Sequence, residues 1–164
     1  MDDELLQTFR FRVTLTPSVP GPRGEPICVD GAFSECSGLQ LEADVREYLE
    51  GGRNDGVVRR VGRVKLTPVV LKRGMFISGR GEVDAQLWNW LTSMVSGALP
   101  VARYDGEIRV DDASGGRPLA RWIFSRGLPM KVSGPTLNAK TGEIAVEEVT
   151  IAHEGLRLGK ELTQ

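Results

Sequence analysis

The chain has 164 residues, 40% of them hydrophobic, and a formal net charge of −1. This length and composition fit one globular domain with its own core and exclude an intrinsically disordered chain. The nearly balanced charge excludes a general electrostatic preference for nucleic acid or an anionic membrane.

The N-terminal segment MDDELLQTF is acidic and lacks an apolar core, so it does not match a secretory signal peptide. No stretch approaches the roughly 20 apolar residues that span a bilayer. Two cysteines, Cys28 and Cys36, are too few for a disulfide framework and favour free thiols in a reducing compartment. We therefore expect synthesis in the cytoplasm.

The first strand is predicted by alternation of apolar and polar residues, with apolar positions Phe9, Phe11, Val13 and Leu15. The segment TPSVPGPRGEP, residues 16–26, contains four prolines and predicts an exposed loop. Short strand pieces are expected at 27–29 and around Phe33.

A long β-hairpin is predicted next, with strands on either side of the glycine-rich turn GGRNDG at 51–56. Acidic residues precede the turn and a basic run follows it, so antiparallel pairing sets opposite charges across the ladder. The predicted pairs are Glu42 with Lys65, Asp44 with Arg63, and Glu47 with Arg60. The basic run is thus one arm of a hairpin. Since no aromatic residues alternate with it as stacking platforms, no nucleic-acid binding is predicted.

One helix is predicted over VDAQLWNWLTSMVSG, residues 83–97, because apolar residues recur there at helical spacing. Asp84 is expected to cap its start and Gly97 its end. Trp88 is expected at the edge of the apolar stripe. The residues expected to be buried against a sheet are Leu87, Trp90 and Leu91.

Further strands are predicted at 119–125 and within EIAVEEVTIAH, residues 143–153. In the second of these the apolar phase changes at Glu147-Glu148, which predicts a β-bulge. Many strands and one helix make the predicted fold class mainly β, as a sandwich or barrel with one flanking α-helix.

No catalytic, metal-binding or cofactor motif is found. His153 is the only histidine and precedes Glu154, but Arg157 stands where the zinc motif HExxH requires its second histidine. Neighbouring carboxylates at Glu147 and Glu148 point to opposite faces of a strand and cannot flank one substrate. We therefore predict no catalytic residue, no metal and no cofactor.

Five segments, in chain order, resemble the tail-tube protein family of contractile phages and contractile injection systems, the T4-like tail tube proteins. They are AFSECSGLQLEADVREYLEGG (32–52), LKRG (71–74), LWNWL (87–91), ARWIFSRGLPMKVSGP (120–135) and SGPTLNAKTGEIAVEEVTIAHEGL (133–156). The resemblance runs from about Phe9 to Leu156. This chain departs from the family pattern by the insertion TPSVPGPRGEP and by Cys36, which replaces the usual aliphatic residue.

The resemblance implies a structural, non-enzymatic subunit that forms sixfold rings, which stack into a hollow tube for delivery through a target membrane. The long hairpin would join neighbouring subunits in a continuous β-barrel around the lumen. A surrounding sheath, baseplate or spike and cap proteins at the ends, and effector cargo in the lumen are the implied partners. The tube would be assembled in the cytoplasm as part of a phage tail or injection particle, which is released or acts across a membrane. His153 would hold a structural position at the end of the last strand.

The whole chain, 1–164, is predicted to be one tail-tube domain. It has an N-terminal arm at 1–7, the proline-rich insertion at 16–26 and a C-terminal tail at 157–164.

The polar face and the tip of the hairpin are the candidate functional sites. The polar face is expected to line the lumen, with residues Gln40, Glu42, Asp44, Arg46, Arg63, Lys65 and Thr67. The apolar face is expected to pack on the subunit core, with residues Leu39, Leu41, Ala43, Val64 and Leu66. The tip is expected to contact the next ring, with residues Glu50, Gly51, Gly52, Arg53, Asn54, Asp55 and Gly56.

Two alternatives remain open on the sequence. The first is a tube-initiating ring at the baseplate with the same fold, which the proline-rich insertion favours. The second is a monomeric β-barrel that binds a small ligand, for which no pocket signature is found.

Overall fold

A computed structural model describes residues 5–8, 10–19, 27–29, 33–49, 51–52 and 56–159. The fold is mainly β with one helix, as predicted. In chain order the elements are β1 (Phe11–Pro17), β2 (Ile27–Val29), β3 (Phe33–Ser37), β4 (Leu41–Tyr48), β5 (Val58–Leu66), β6 (Val69–Gly74), α1 (Gln86–Val95), β7 (Tyr104–Asp111), β8 (Pro118–Ser133), β9 (Val146–Ala152) and β10 (Gly155–Gly159).

Eight strands form one curled antiparallel sheet in the order β2-β1-β7-β8-β9-β6-β3, with β10 paired to β8 beside this path. Strand β8 joins the two halves of the sheet. Its first part pairs with β7 and β10, and its last part, Leu128–Ser133, pairs with β9. The sheet therefore folds over on itself around one core, because the same strand serves both halves.

The core lies between these halves and is built from alternate positions of the strands. Val13 and Leu15 come from the first half, and Leu71 and Val149 from the second. Phe124 lies between them, and its ring approaches Gly106 so closely that a Cβ there would be 2.1 Å from a ring carbon. This alternation is what the sequence predicts for strands buried on one face.

The helix α1 begins later than predicted, at Gln86 rather than at residue 83. Val83 instead forms an isolated bridge with Ile77 in a short hairpin before the helix. The predicted N-terminal cap is wrong, because the N-cap is Ala85 and has no side-chain capping bond. Asp84, one residue earlier, accepts a hydrogen bond at its Oδ1 from the Gln86 N–H at 2.9 Å. The predicted C-terminal cap is present. Gly97, with φ of +80°, follows the last turn, where its N–H donates to the Met94 carbonyl at 3.2 Å.

The helix buries two of its three predicted core residues fully. Leu87 and Trp90 are buried, whereas Leu91 is half-buried. Trp88 is half-buried at the edge of the stripe, as expected. The helix thus packs its apolar stripe on the curled sheet.

The bulge predicted at Glu147-Glu148 is absent from β9, which pairs with β6 in unbroken register from Val146 to Ile151. The irregularity lies in β8, between Pro129 and Lys131. The apolar phase seemed to change because Glu147 occupies the inward row of β9 and is fully buried. The predicted bulge was wrong because the inward row of β9 was identified from its apolar residues alone.

Glu147 is buried with two polar partners. Its side chain pairs with Arg73, which is only 1% exposed, and its Oε2 accepts a hydrogen bond from Trp88 Nε1 at 2.9 Å. Arg73 also lies 3.3 Å from Asp84 Oδ2, just before the helix. This cluster of Arg73, Glu147, Trp88 and Asp84, the buried ionic cluster, fastens the start of α1 to strands β6 and β9.

The C-terminal end also differs from expectation. His153 does not end the last strand, because β10 follows it, and Arg157 pairs with Ile123. The first three residues of the predicted tail, 157–159, are therefore part of a strand. Of the predicted insertion, residues 16 and 17 belong to β1, and 20–26 lie outside the described residues.

Cys36, in β3, has a free thiol that is half-buried against the core. Burial raises its pKa to about 12 because an apolar environment disfavours the thiolate.

We expect Cys36 to react slowly with thiol reagents while the chain is folded. In a Cys28→Ser variant, the rate of modification at pH 8 should be at least ~10-fold lower than in the same chain unfolded in urea, since only the thiolate attacks. Equal rates in the two states would contradict the burial of this thiol.

Candidate assembly surface

The hairpin β4–β5 stands apart from the curled sheet. Among the described residues, its two strands pair only with each other. Gly38 at its root has φ of +83°, and a Cβ there would lie 2.0 Å from the Pro68 carbonyl oxygen. The two segments that enter and leave the hairpin therefore pass so close to each other that only glycine fits at position 38.

The predicted hairpin register is right near the root and wrong toward the tip. Leu41–Leu66, Glu42–Lys65 and Ala43–Val64 pair as expected. An irregularity then shifts the register by one, so that Val45 pairs with Val61 and Glu47 pairs with Arg59 rather than with Arg60. Asp44 consequently does not pair with Arg63.

The shift is a β-bulge in β5, where Gly62 and Arg63 together lie opposite Asp44. The extra residue in β5 returns the apolar side chains on both sides of the bulge to the same face of the hairpin. Val64 and Val61 are three residues apart, so strict alternation would put them on opposite faces, and the bulge puts both on one. The three-residue spacing of these two valines indicates the bulge, and the predicted register did not take it into account.

One face of the hairpin is apolar and exposed. The expectation that it packs on the subunit core is wrong for Leu41 and Val64, which are 58% and 57% exposed, and for the exposed Ala43. Leu39 and Leu66, nearer the root, are half-buried. The bulge extends this face to Val45 and Val61, 61% and 77% exposed. We define the apolar hairpin face as Leu41, Ala43, Val45, Val61, Val64 and Leu66.

The opposite face is polar and carries ion pairs between its strands. Lys65 Nζ lies 2.7 Å from Asp44 Oδ1 and 3.8 Å from Glu42 Oε1. The hydrogen bond and the charge of Asp44, with the charge of Glu42, raise the pKa of Lys65. Near the tip, the guanidinium of Arg60 lies over the Tyr48 ring.

Of the predicted lumen residues, Glu42, Asp44, Arg46 and Lys65 lie on one face of the hairpin. Gln40, Glu42, Arg46 and Lys65 are exposed, and Asp44 is half-buried. Arg63 is in the bulge and Thr67 follows the strand, so these two are not regular members of the polar row.

The tip of the hairpin is only partly described. Gly51 and Gly52 form a turn, with φ of +98° at Gly52, while Glu50 and residues 53–55 lie outside the described residues. Beside the turn, Leu49 is 87% exposed and Tyr48 and Val57 are also exposed. The described part of the tip therefore presents apolar side chains.

His153 fastens the hairpin root to the core. Its Nε2 lies 2.9 Å from the Thr67 carbonyl oxygen, which can only accept, so Nε2 carries the hydrogen. Its ring lies against Phe124, and its Nδ1 is buried with no hydrogen-bond partner in the described part of the chain. His153 and Glu154 match only the first two positions of the zinc motif HExxH. The histidine has a structural role, because it positions the root of the hairpin.

We expect His153→Asn to lower the free energy of unfolding by roughly 1–3 kcal/mol, because the part-buried Thr67 carbonyl loses its donor. Urea unfolding of this variant beside Glu154→Gln, an exposed neighbour, measures the difference. A hydrolytic activity of the natural chain that disappears in a folded His153→Asn variant would contradict the structural role.

Among the residues that the structure describes, no three His, Cys, Asp or Glu side chains are grouped so as to hold a metal ion. The described part of the chain also contains no helix long and apolar enough to cross a membrane.

Solved structures with a similar fold come from contractile injection systems. One chain of the "PVC sheath-tube complex in extended state" is 24% identical, with a TM-score of 0.77 over 96% of this chain and 93% of that chain. A chain of the anti-feeding prophage tube terminating cap is 22% identical, with a TM-score of 0.76 over 98% of this chain and 95% of its own. The fold is thus that of proteins in tube assemblies. Curated protein sequences yield no significant match.

The family is established by sequence. The profile of the family described as "T4-like virus tail tube protein gp19" matches residues 7–157. The chain belongs to this family, and it is a tube subunit of the phage-tail and contractile-injection-system type. The match favours neither the tube-initiating ring nor a monomeric ligand-binding barrel.

Proposed function

We propose that six copies of this chain form a ring, that rings stack into a hollow tube, and that the hairpin makes both contacts. The apolar hairpin face carries this proposal. It is a contiguous apolar surface on a two-stranded sheet, and such a sheet is marginally stable by itself in water. A neighbouring copy that covers it in a closed ring removes both the exposed apolar surface and the open strand edges.

The polar face of the hairpin is then the wall of the lumen. When the apolar face is covered, the other face of the same two strands stays in water, because successive side chains point to opposite sides. Of its cations, Lys65 is matched by Asp44 across the ladder, whereas Arg46 lies opposite Arg60. Such a hydrated wall with charges of both signs suits the passage of effector cargo.

The remaining partners follow from the tube. A sheath would surround it, with baseplate or spike proteins at one end and a cap at the other, and the subunit would have no catalytic role. The solved structures with this fold come from complexes that include a sheath, a terminating cap and a baseplate. We propose assembly in the cytoplasm into a particle that acts across a membrane.

The ring contact is tested at one cross-strand pair of the apolar hairpin face. Val45→Lys/Val61→Lys should give a folded monomer of about 18 kDa where the natural chain gives rings, since two ammonium groups would have to be buried at the contact. Light scattering after size-exclusion chromatography measures the mass, and negative-stain imaging shows the rings.

The matched control is the next pair along the same two strands, Arg46 and Arg60, which points to the other face. Arg46→Gln/Arg60→Gln should still form rings. Rings from the valine variant, or a natural chain that is monomeric at every concentration, would contradict the proposed contact.

The stacking contact is tested by shortening the tip. Replacing Gly51–Gly56 by a two-residue Asn-Gly turn, which closes a hairpin directly, should leave rings intact and abolish long tubes. Tube lengths measured by negative-stain imaging decide the matter. Tubes of natural length from the shortened chain would exclude a stacking role for the tip.

A further inference from the structure

A groove of about 470 Å³ lies beneath the connection between β8 and β9. We call residues 134–145 the β8–β9 loop. It runs beside the outer face of β6 and β9, where Lys72 and Glu148 form the floor. Leu137 and Ile144, 87% and 80% exposed, form the rim. The groove thus combines an ionic floor with an apolar rim.

The groove has a well-supported frame. Gly134 lies against the Trp88 ring, where a Cβ would be 3.3 Å from a ring carbon, and Trp88 is held by the buried Glu147. At the other end of the loop, the Met75 N–H donates to the Ala145 carbonyl at 2.8 Å, which extends the β6–β9 ladder. Both ends of the loop are therefore fixed to the buried ionic cluster and the sheet.

The groove and the hairpin lie at opposite ends of the same four strands. One end is formed by Phe33, Gly74 and Val146, and the β8–β9 loop joins the sheet there. The other end is formed by Ser37, Val69 and Leu128, and the hairpin leaves the sheet there through residues 38–40 and 67–68. A stack of identical rings that all point the same way brings unlike ends together, which is a heterologous contact.

The two ends match chemically. The hairpin tip presents Tyr48, Leu49 and Val57 as exposed apolar side chains, and the groove presents Leu137 and Ile144. Both also carry charges of each sign: Glu50, Arg53 and Asp55 in the sequence of the tip, Lys72 and Glu148 on the floor. The tip would thus meet the groove through apolar contacts at its rim and ion pairs at its floor.

We propose that the groove beneath the β8–β9 loop receives the hairpin tip of a second copy of this chain in the adjacent ring. The inference rests on the proposed function, in that it requires rings that stack. It adds the surface on the receiving subunit, and it gives the exposed Leu137 and Ile144 a partner.

The first experiment removes the apolar rim of the groove. Leu137→Lys/Ile144→Lys should form rings as the natural chain does, while the mean tube length falls at least ~10-fold in negative-stain images. Val95→Lys/Leu158→Lys is the control, because it adds the same charge at two exposed apolar positions on α1 and β10. This control should make tubes of natural length.

The second experiment does not depend on the folding of the lysine variant. Rings are assembled separately from a Leu49→Cys chain and a Leu137→Cys chain, each in a Cys28→Ser/Cys36→Val background, and are then mixed and oxidised. Disulfide-linked dimers between the two chains are expected, and rings of Leu49→Cys mixed with rings of Val95→Cys should give none.

The outcomes separate this inference from the proposed function. Natural tube lengths in the groove variant without crosslinking at Leu137 would overturn the groove while leaving ring stacking intact. Loss of rings in a folded groove variant would also overturn it, since the loop would then act within the ring. A natural chain that forms no rings would contradict the proposed function and this inference with it.

Discussion

Glu147→Ala should lower the free energy of unfolding by roughly 3–5 kcal/mol, the range found when one partner of a buried ion pair is removed. Arg73 would remain 1% exposed with its charge uncompensated on that side, and Trp88 would lose the acceptor of its indole N–H. Urea unfolding at neutral pH measures the loss. Because the cluster fastens α1 to β6 and β9, the variant should also show a looser helix in hydrogen exchange.

The chain supplies a matched control for this substitution in the neighbouring residue. Glu148 pairs with Lys72 in the next register position but points to the outer face, so Glu148→Ala should cost no more than about 1 kcal/mol. Arg73→Met/Glu147→Leu, which removes both charges, should be more stable than Glu147→Ala alone. Equal losses from Glu147→Ala and Glu148→Ala would show that Glu147 is not buried as an ion.

Trp90→Ala should cost about 3–5 kcal/mol, as for other large aromatic residues in packed cores. The side chain is 4% exposed, and its ring meets Tyr104 edge-on with centroids 4.8 Å apart. Its Nε1–H donates to the Ala102 carbonyl at 2.9 Å, so the variant leaves both a cavity and an unpaired carbonyl.

Trp90→Phe is the control, because it keeps most of the apolar volume and loses the hydrogen bond. It should cost distinctly less than Trp90→Ala when both are measured by urea unfolding. A loss below about 1 kcal/mol for a folded Trp90→Ala protein would contradict the packing of the helix on the sheet.

Much of the fold could be predicted because most of its strands obey a simple period. Val13 and Leu15 are buried on alternate positions, and Leu87 and Trp90 are buried at helical spacing. The register at the root of the hairpin was also predictable, because the opposite charges of Glu42 and Lys65 indicate that these residues pair. These features depend on contacts close in sequence, or on charges that pair directly across a ladder.

The buried ionic cluster and the bulge could not be predicted, for two different physical reasons. A buried Glu147 contradicts the usual place of a charged residue, and only its distant partner Arg73 explains it. The bulge at Gly62 and Arg63 changes a period that was assumed to be constant.

The prediction that the apolar hairpin face packs on the core of its own subunit was wrong for a third reason. Alternation shows that Leu41 and Val64 share a face, but it does not show whether that face meets the same chain or another. The proposed function supplies the missing surface from a second copy. A face that seems misplaced in one subunit is then the face on which the assembly depends.

The exposed apolar hairpin face makes newly synthesised chains prone to aggregation. Until the proposed ring closes, an apolar ribbon with open edges is a template for disordered aggregation. The valine-rich stretch of β5 is interrupted by Arg59, Arg60 and Arg63, and charges of this kind act as gatekeepers against wrong strand pairing. Yield of soluble protein should therefore be governed by a competition between ring closure and precipitation. Slow synthesis at low temperature favours closure only while the subunit concentration is high enough for copies to find one another.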